Sequence, residues 1–479
     1  MIVALVLLGL VFVPSLYPNS LTGAAKGGIQ SPPDASNGTK DSLSPNSTTI
    51  ATLNLSSTTT MSEITAGQQS LQAYSTGLEQ TSEGMNKLQL AGNANAGNDN
   101  SSSTTTASSV STTGTLSFSG ADLALINRTA NSQIRFIESL QLSSGAIMES
   151  PENPVVYTRD LSLAAFALIR SGNAQAAEKS IVYLLSLSQS ASNFSGPGGT
   201  RYSSPPAWNQ IYSTSGAPLD PSLRGEDQGM ALLAISAYVQ ATGNIGLVRQ
   251  HWAKVESSAN FIVYLQHAPE PGIAYNGLYR HGDNWDDERQ ENMNGTSPMY
   301  SPYWPEYYQW EEENMRMIMG MKGAVLLASD LGFQADAKTW NNSLNAALVG
   351  LSNEAMYSKY EAYDYFGSVL WGLQTNIQTA KAILASMPHG FFTPYGVKDL
   401  PWLDISGASD TIDYMLCLVR VQNYTGAGLY LHLLTTKFGN PQGGFYDTIN
   451  LGDQSVSPVS NVYASARFVY FSYVVSTLT

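Results

Sequence analysis

The chain contains one cysteine, a few dispersed histidines and little charge, and each scarcity excludes a class of protein. With only Cys417 among 479 residues, neither an intrachain disulfide nor a cysteine-based metal site can form. The five histidines show no HxxxH spacing, so no metal site is predicted. Charged residues make up 13% of the chain and the formal net charge is −14, which excludes nucleic-acid binding by phosphate neutralisation.

Nucleotide-binding and serine-hydrolase patterns are missing as well. The sequence contains no GxGxxG, no P-loop and no GxSxG segment, so it predicts no cofactor and no nucleophile of the serine-hydrolase type. What the chain has instead is abundant Ser, Thr, Asn and Tyr, a composition that suits an exported protein.

Residues 1–18 are interpreted as a signal peptide or a membrane anchor. The apolar run from Ile2 to Val13 has the length of a signal peptide and is shorter than the ~20 residues that a membrane-spanning helix requires. The usual basic residues before the run are missing, so an uncleaved anchor stays the alternative to a cleaved signal. Both interpretations predict an extracellular or cell-surface protein.

Residues 19–115 are rich in Ser, Thr, Asn and Gly, and we interpret them as a flexible stalk. This composition buries too little apolar surface to offset the entropy of ordering the chain. Four sequons favour a glycosylated stalk, and they lie at Asn37, Asn46, Asn54 and Asn100. Apolar side chains at seven-residue spacing permit one short helix within residues 61–90, and they are Ile64, Leu71, Leu78 and Met85.

From residue 116 onward the composition changes, and hydrophobic periodicity predicts twelve helices. The predicted segments are 122–141, 159–171, 173–189, 226–242, 245–266, 312–331, 333–352, 365–373, 375–387, 409–422, 425–437 and 461–477. No convincing run of alternating apolar and polar residues indicates a β-strand.

The even-numbered and odd-numbered helices differ in their pattern of apolar residues. The second, fourth, tenth and twelfth are apolar nearly all round, which is typical of helices buried on every side. The third, fifth and seventh are apolar on one side only. Short turns with Gly or Asn follow even helices, and long connections lead into most of them at one end of the molecule. The sequence therefore predicts an all-α fold, an (α/α)6 toroid of six helical hairpins spanning 116–479.

Carboxylate, arginine and aromatic residues cluster where the even helices begin. This combination suits a sugar site, because aromatic rings stack on pyranoses, charged groups hydrogen-bond to hydroxyls, and two carboxyls can supply the acid and base of glycoside hydrolysis. Helix capping explains the acidic residues at the helix N-termini equally well. The candidate substrate-binding residues are Tyr157, Arg159, Asp160, Glu226, Asp227, Trp285, Asp287, Glu288, Trp310, Glu311 and Trp402.

The segment GDNWDDE gives the best candidate for a general acid. It crowds four carboxylates around Trp285, namely Asp283, Asp286, Asp287 and Glu288. Like charges at close range raise a carboxyl pKa, as a general acid requires. A solvated loop or an ion site is the alternative, although the glycine of an EF-hand calcium loop is missing.

Three segments resemble the six-hairpin (α/α)6 glycosidases of the glucoamylase and trehalase type. NPVVYTRDLSLAAFALIRSGN is similar to the W-x-R-D segment that opens their second helix, RGEDQGMALLAISAYVQATGN resembles their fourth helix, and GDNWDDERQ is similar to the acid-bearing loop of trehalases. The resemblance covers residues 121–479. It implies that Arg159 and Asp160 hold the sugar in the cleaved subsite and that Asp286 is the general acid.

The chain departs from this family at the catalytic base. Glucoamylases carry a glutamate near the start of the twelfth helix, in a W-x-H-A-E-like stretch, whereas this chain has VYASARF, with Arg467 where Glu is expected. Asp404, in PWLD before the tenth helix, is the predicted base, and Asp447 in GGFYD is the next candidate. An inverting pair would place its carboxyl groups about 6.5–9.5 Å apart, with a water between them.

These observations predict a secreted or surface-attached glycoside hydrolase that cleaves a glucan or oligosaccharide, α-linked, by an inverting acid–base mechanism. The alternative is a catalytically inactive glycan-binding or structural surface protein that keeps the fold, which the missing glutamate favours. A polysaccharide lyase or unsaturated-sugar hydrolase is a third hypothesis. Lyases usually need positive groups to offset the substrate uronate, and the acidic, lysine-poor character of the cleft argues against this hypothesis.

Deletion of residues 20–115 should leave the melting temperature of the helical domain unchanged, because nothing in the stalk can pack against it. Calorimetry of the full chain and of residues 116–479 checks this expectation. A clear drop in melting temperature after deletion would show that the segment is docked on the domain.

Overall fold

A computed structural model describes residues 117–191, 193–195, 201–220, 222–267, 277–279, 311–351 and 362–478. The predicted signal or anchor, the stalk and the helix within 61–90 lie outside these ranges. So do five of the predicted site residues, which are Trp285, Asp286, Asp287, Glu288 and Trp310. Within the ranges that are described, no helix has both the length and the apolar character needed to cross a bilayer.

The described part of the chain is mostly helical, and each of the twelve predicted helices overlaps an observed one. The helices are α1 (Gly120–Leu140), α2 (Thr158–Arg170), α3 (Ala174–Ser186), α4 (Gly225–Thr242), α5 (Trp252–His267), α6 (Glu311–Leu331), α7 (Gln334–Leu351), α8 (Tyr363–Leu370), α9 (Ile377–Ala385), α10 (Ala408–Arg420), α11 (Tyr424–Lys437) and α12 (Val462–Leu478). A short helix, Ile245–Gln250, precedes α5, and a single 3-10 turn, His389–Phe391, follows α9.

The even-numbered helices form a closed inner ring. Each packs against the next even helix, from α2 through α4, α6, α8 and α10 to α12, and α12 packs against α2. Helix α4 is buried at every position from Gly225 to Val239, as its all-round apolar sequence predicts. The all-α (α/α)6 arrangement expected from the sequence is therefore confirmed for the described residues.

The odd-numbered helices pack behind the inner ring and bury one face each. In α3 the buried apolar side chains include Ala177, Ile181 and Leu184, which recur at helical spacing on one side. Each odd helix packs against an even partner, as α3 does on α2 and α7 does on α6. One-sided burial is why these helices carry charged residues on their free face.

Short antiparallel strands lie in the connections, mostly those that lead into the inner helices. Two or three residues are too few to leave a detectable alternation of apolar and polar positions, so these strands could not be predicted from the sequence. They are β1 (Val155–Tyr157), β2 (Gln189–Ser190), β3 (Asn193–Ser195), β4 (Arg201–Ser203), β5 (Ala207–Trp208), β6 (Ile211–Ser213), β7 (Pro218–Asp220), β8 (Phe392–Thr393), β9 (Gly396–Val397), β10 (Ile405–Gly407) and β11 (Thr448–Asn450).

Two of the small sheets fix the backbone where inner helices begin. The sheet β1-β6-β7 ends directly before α2, with Tyr157 opposite Ile211 in its register. The sheet β11-β10-β9-β8 ends directly before α10, with Gly407 opposite Thr448. Paired strands hold these helix starts in place more firmly than an irregular loop would.

Helices α4 and α6 approach each other through glycines. A Cβ atom on Gly320 would overlap the backbone carbonyl of Gly229, and a Cβ on Gly229 would lie 2.6 Å from the carbonyl oxygen of Arg316. Both glycines are buried. Since backbone cannot move aside as a flexible side chain can, this contact sets the spacing of the two helices.

Gly320→Ala should therefore lower the free energy of unfolding by about 1–3 kcal/mol, as overpacking of a tight core does. Chemical denaturation checks this value. Gly428→Ala is the matched control, because Gly428 is a buried helical glycine whose added Cβ would meet only the Asp122 carboxylate, at an ordinary 3.6 Å or more. Equal stability of the wild-type and Gly320→Ala chains would contradict the close approach of α4 and α6.

Candidate active site

A cavity of about 360 Å³ lies at the end of the ring where the inner helices begin. This volume is within the range of small-molecule sites. All six inner helices contribute to its lining near their first turns. One lining residue from each helix, in chain order, is Arg159, Glu226, Arg316, Tyr363, Asp410 and Tyr463.

The start of α2 is fixed by hydrogen bonds from both flanks. Thr158 Oγ1 donates to the carbonyl of Asn209 at 2.6 Å, and the backbone N–H of Arg159 donates to Asp227 Oδ1 on α4 at 3.1 Å. Arg159 Nε donates to Asp160 Oδ1 at 2.9 Å. These contacts hold the Arg159 guanidinium at the cavity wall.

Three arginines converge on the carboxylate of Glu226. Its Oε1 lies 3.3 Å from Arg159 Nη1 and 3.7 Å from Arg224 Nη1, and its Oε2 accepts from Arg316 Nη1. Glu226 is 3% exposed, so the charges meet in a setting of weak solvent screening. The cavity is not lined by acidic groups alone, because Arg159, Arg224 and Arg316 all line it.

Several carboxyl groups in and around the cavity hold their protons more strongly than usual. Burial raises the pKa of Asp227 to about 7, and burial together with the charge of Asp160 raises the pKa of Glu149 to about 7. Burial and Asp160 also raise the pKa of Asp447. Carboxyl groups that titrate near neutral pH are suited to exchange protons with a substrate.

Asp410 stands against a second carboxylate on the opposite side of the cavity. Burial and the nearby charge of Asp399 raise its pKa well above the ordinary range, while a hydrogen bond from Tyr363 acts in the opposite direction. Gly407 leaves the room for this side chain, because a Cβ there would overlap the Asp410 carboxylate. Asp399, Asp410 and Asp447 together form an acidic side of the cavity.

The start of α12, where the resemblance places a glutamate, carries Tyr463 and Arg467 instead. Arg467 is 1% exposed, its Nε lies 3.5 Å from Asp413 Oδ2 on α10, and its Nη2 donates to the Tyr463 hydroxyl. Tyr463 lines the cavity. Position 467 is therefore part of a buried ion pair beneath the site and not a group at its surface.

The structure brings some of the predicted site residues together and leaves others apart. Arg159 and Glu226 line the cavity, and Asp160 and Asp227 are buried beside them. Tyr157 ends β1 and is half-buried next to this cluster. Glu311 opens α6, but its side chain lies outside the described residues.

The two predicted residues before α10 lie at the surface. Trp402 is 37% exposed, although its neighbour Leu403 lines the cavity. Asp404 is exposed and is not among the lining residues, whereas Asp447 is. The geometry thus favours Asp447 over Asp404 as the base, and the catalytic role of either residue stays a prediction.

Sequence reasoning missed Arg316, Tyr363 and Tyr463 as cavity residues. A signal for Arg316 was present, because it is a lone charge in the apolar segment NMRMIMG of an inner helix, and a buried charge needs a partner. Tyr463 lies in the VYASARF stretch itself, four residues before Arg467. The tyrosines carried no such signal, since an aromatic residue on an inner helix is ordinary core.

Solved structures with a similar fold include glycosidases and a sugar epimerase. No protein-family model matches the sequence, and no curated protein matches it. A glycosidase variant in complex with glucose matches with a TM-score of 0.55 at 12% identity, over 76% of this chain and 100% of that chain. Another glycosidase variant matches with a TM-score of 0.56 at 13% identity, over 75% and 99% of the two chains. A sugar epimerase from a ruminal bacterium matches with a TM-score of 0.50 at 10% identity, over 74% and 98%.

At these identities the matches establish the fold. The described domain is an (α/α)6 toroid of the kind found in six-hairpin glycosidases, and the resemblance stated from the sequence is confirmed at that level. The shared portion is about three-quarters of this chain and nearly the whole of each matched protein.

Asp227→Asn should flatten the pH dependence of stability between about pH 4 and 7. The Asp227 pKa is near 3.8 when unfolded and about 7 in the fold, so the native state binds more protons in this interval and the free energy of unfolding falls as pH rises through it. The amide cannot ionise, and its oxygen can still accept from the Arg159 N–H. Denaturation at a series of pH values measures the slope.

Asp453→Asn is the control for this experiment. Asp453 is an exposed carboxyl whose pKa is lowered by hydrogen bonds from Ser455, so its contribution changes below pH 4 and the slope above pH 4 should stay as in the wild type. Glu149 adds a slope of the same sign in every variant. An unchanged slope in Asp227→Asn would mean that this carboxyl is ionised in the folded chain.

Proposed function

We propose that this protein is an exported glycoside hydrolase that cleaves an α-linked glucan or oligosaccharide by inversion. The observation that carries the proposal is the cavity at the start of the six inner helices, which combines arginines with carboxyl groups of raised pKa. The fold supports it, because glycosidases share this toroid and one of them was captured with glucose. Export is inferred from the apolar N-terminus and from a composition rich in Ser, Thr, Asn and Tyr.

In the proposed mechanism Asp447 is the base. It lies in the connection before α12, lines the cavity, and accepts from Asn461 Nδ2 at 3.3 Å, which leaves its second oxygen for a water. Its pKa is raised by burial and by Asp160. A carboxylate with a raised pKa is a stronger base near neutral pH, so the ionised form would activate water efficiently.

Asp286 is the proposed general acid, and its assignment rests on the sequence. Inversion requires it to face Asp447 at about 6.5–9.5 Å, with the glycosidic bond and the attacking water between them. Arg159 and Glu226, fixed by the contacts around α2 and α4, would hold sugar hydroxyls through charge-assisted hydrogen bonds. Trp402, exposed beside Leu403, would extend the binding surface outward.

A glycan-binding protein without turnover is the second candidate function. The specific observation in its favour is that α12 presents Tyr463 and Arg467 where the resemblance places the catalytic glutamate. The buried arginine cluster would bind a sugar equally well in either case. Binding with no product release in a broad saccharide screen would select this candidate.

Asp447→Asn should lower kcat about 10²–10⁴-fold while leaving sugar affinity nearly unchanged, because the amide keeps the shape but cannot take a proton. Release of reducing sugar from a panel of α-linked glucans and oligosaccharides is the assay. Asp286→Asn should lose activity to a similar extent. Added azide should restore bond cleavage by Asp447→Asn, because the anion attacks the anomeric carbon in place of water and needs no base; the glycosyl azide that forms is then the product to measure.

Asp453→Asn is the matched control, since Asp453 is an exposed carboxyl in the same connection as Asp447. It should retain wild-type turnover. Loss of activity in Asp404→Asn together with normal turnover in Asp447→Asn would identify Asp404 as the base. That result would contradict the assignment of the base to Asp447, which lines the cavity.

A further inference from the structure

The hydroxyl of Tyr463 accepts hydrogen bonds from two arginines. Arg316 Nη2 on α6 donates to it at 2.5 Å, and Arg467 Nη2 on α12 donates to it as well. A phenolic oxygen has two acceptor sites and one hydrogen. Both acceptor sites are therefore used, and the hydrogen is the only polar contact that this group can still make.

Each of these two arginines is also held by a buried carboxylate on another inner helix. Arg316 is 2% exposed and donates to Glu226 on α4, while Arg467 is 1% exposed and lies 3.5 Å from Asp413 on α10. Their guanidinium groups thus reach Tyr463 from anchors on two inner helices, α4 and α10, that are not adjacent in the ring. A side chain fixed in this way presents its hydroxyl in one orientation.

Positive charge also surrounds the Tyr463 ring. The guanidinium carbons of Arg159, Arg467 and Arg316 lie 4.6, 4.8 and 5.8 Å from the ring centroid. These cations repel the partial positive charge of the phenolic hydrogen and disfavour orientations toward them. In the part of the chain that the structure describes, no side chain accepts this hydrogen, and the side chain lines the cavity.

We propose that Tyr463 is a substrate-binding residue that donates its hydrogen to a hydroxyl oxygen of the saccharide in the cavity, beside Arg159. Arg467 is a positioning residue that acts through Tyr463. This proposal rests on the proposed function for the identity of the ligand as a sugar. It assigns to α12 a donor to substrate in the place where the resemblance expects a proton acceptor.

Calorimetric titration of the full chain with glucose and with each monodeoxyglucose tests the proposal. The wild type should bind one of the deoxy sugars about tenfold more weakly than glucose, the cost of one lost hydrogen bond in a polar buried site. Tyr463→Phe should bind glucose about tenfold more weakly and should no longer discriminate against that deoxy sugar. The missing sugar hydroxyl and the missing phenol would then be the two ends of one contact.

Tyr470→Phe is the matched control on the same helix. Its hydroxyl also accepts from an arginine, Arg420 Nη2 at 3.2 Å, but it lies two turns further along α12. This variant should bind glucose as the wild type does and keep the discrimination. Melting temperatures of both variants verify that they fold.

Arg467→Lys tests the positioning role, because lysine keeps the charge opposite Asp413 but cannot also hold the phenol through a planar fork. It should lose discrimination against the same deoxy sugar, a pattern that a general loss of stability would not produce. Unchanged glucose affinity and selectivity in Tyr463→Phe, or no glucose binding by the wild type, would overturn the proposal. Binding without hydrolysis would overturn the hydrolase function alone.

Discussion

The structure depends on the closure of the inner ring, because helices that are apolar all round are stable only when every side is covered. Helix α4 illustrates the constraint, since it is buried from Gly225 to Val239 and needs α2 and α6 on its flanks and α3 and α5 behind it. Closure aligns the six inner helices and brings their first turns to one end. The convergence of Arg159, Glu226 and Asp410 in one cavity follows from that alignment.

The same constraint explains the unusual electrostatics of the site. Charges at the first turns of buried helices have little access to water, so each must find a partner or give up its charge. Arg316 finds Glu226 on the adjacent helix, and Arg467 finds Asp413. Asp227 and Asp410 have weaker compensation, and burial raises their pKa values. The cost of removing a charge from water thus explains both features of the site, the ion-paired arginines and the acids with raised pKa values.

Much of the fold could be predicted from the sequence, because helical periodicity survives in single segments. The all-round apolar pattern of FVYFSYVV marked α12 as inner and the one-sided pattern of α7 marked it as outer, as observed. The short strands escaped prediction, since their pairing, such as Gly407 with Thr448, joins segments far apart in the chain and leaves no local pattern.

The candidate site was harder to predict than the fold. Residues directly at helix starts, such as Arg159 and Glu226, were found because their position along the chain also fixes their position in space. Asp404 and Asp447 both precede inner helices, and only their three-dimensional placement separates the exposed side chain from the one at the cavity. Arg316 lies a full turn inside α6, where a sequence pattern cannot tell which side faces the cavity axis.

The arginine at position 467 constrains where a catalytic base can lie. Its guanidinium compensates Asp413, which is fully buried, and a glutamate there would face that carboxylate as a like charge in a medium of low dielectric. Position 467, Asp413 and Tyr463 therefore form one unit, and the substitution Arg467→Glu alone would leave two buried carboxyl groups facing each other. A base on this side of the cavity must come from the connection before the helix. Asp447 lies in that connection and accepts a hydrogen bond from Asn461, the residue just before α12. Within the proposed function, the proton acceptor has moved from the helix to the loop that precedes it, and the helix presents a donor in its place.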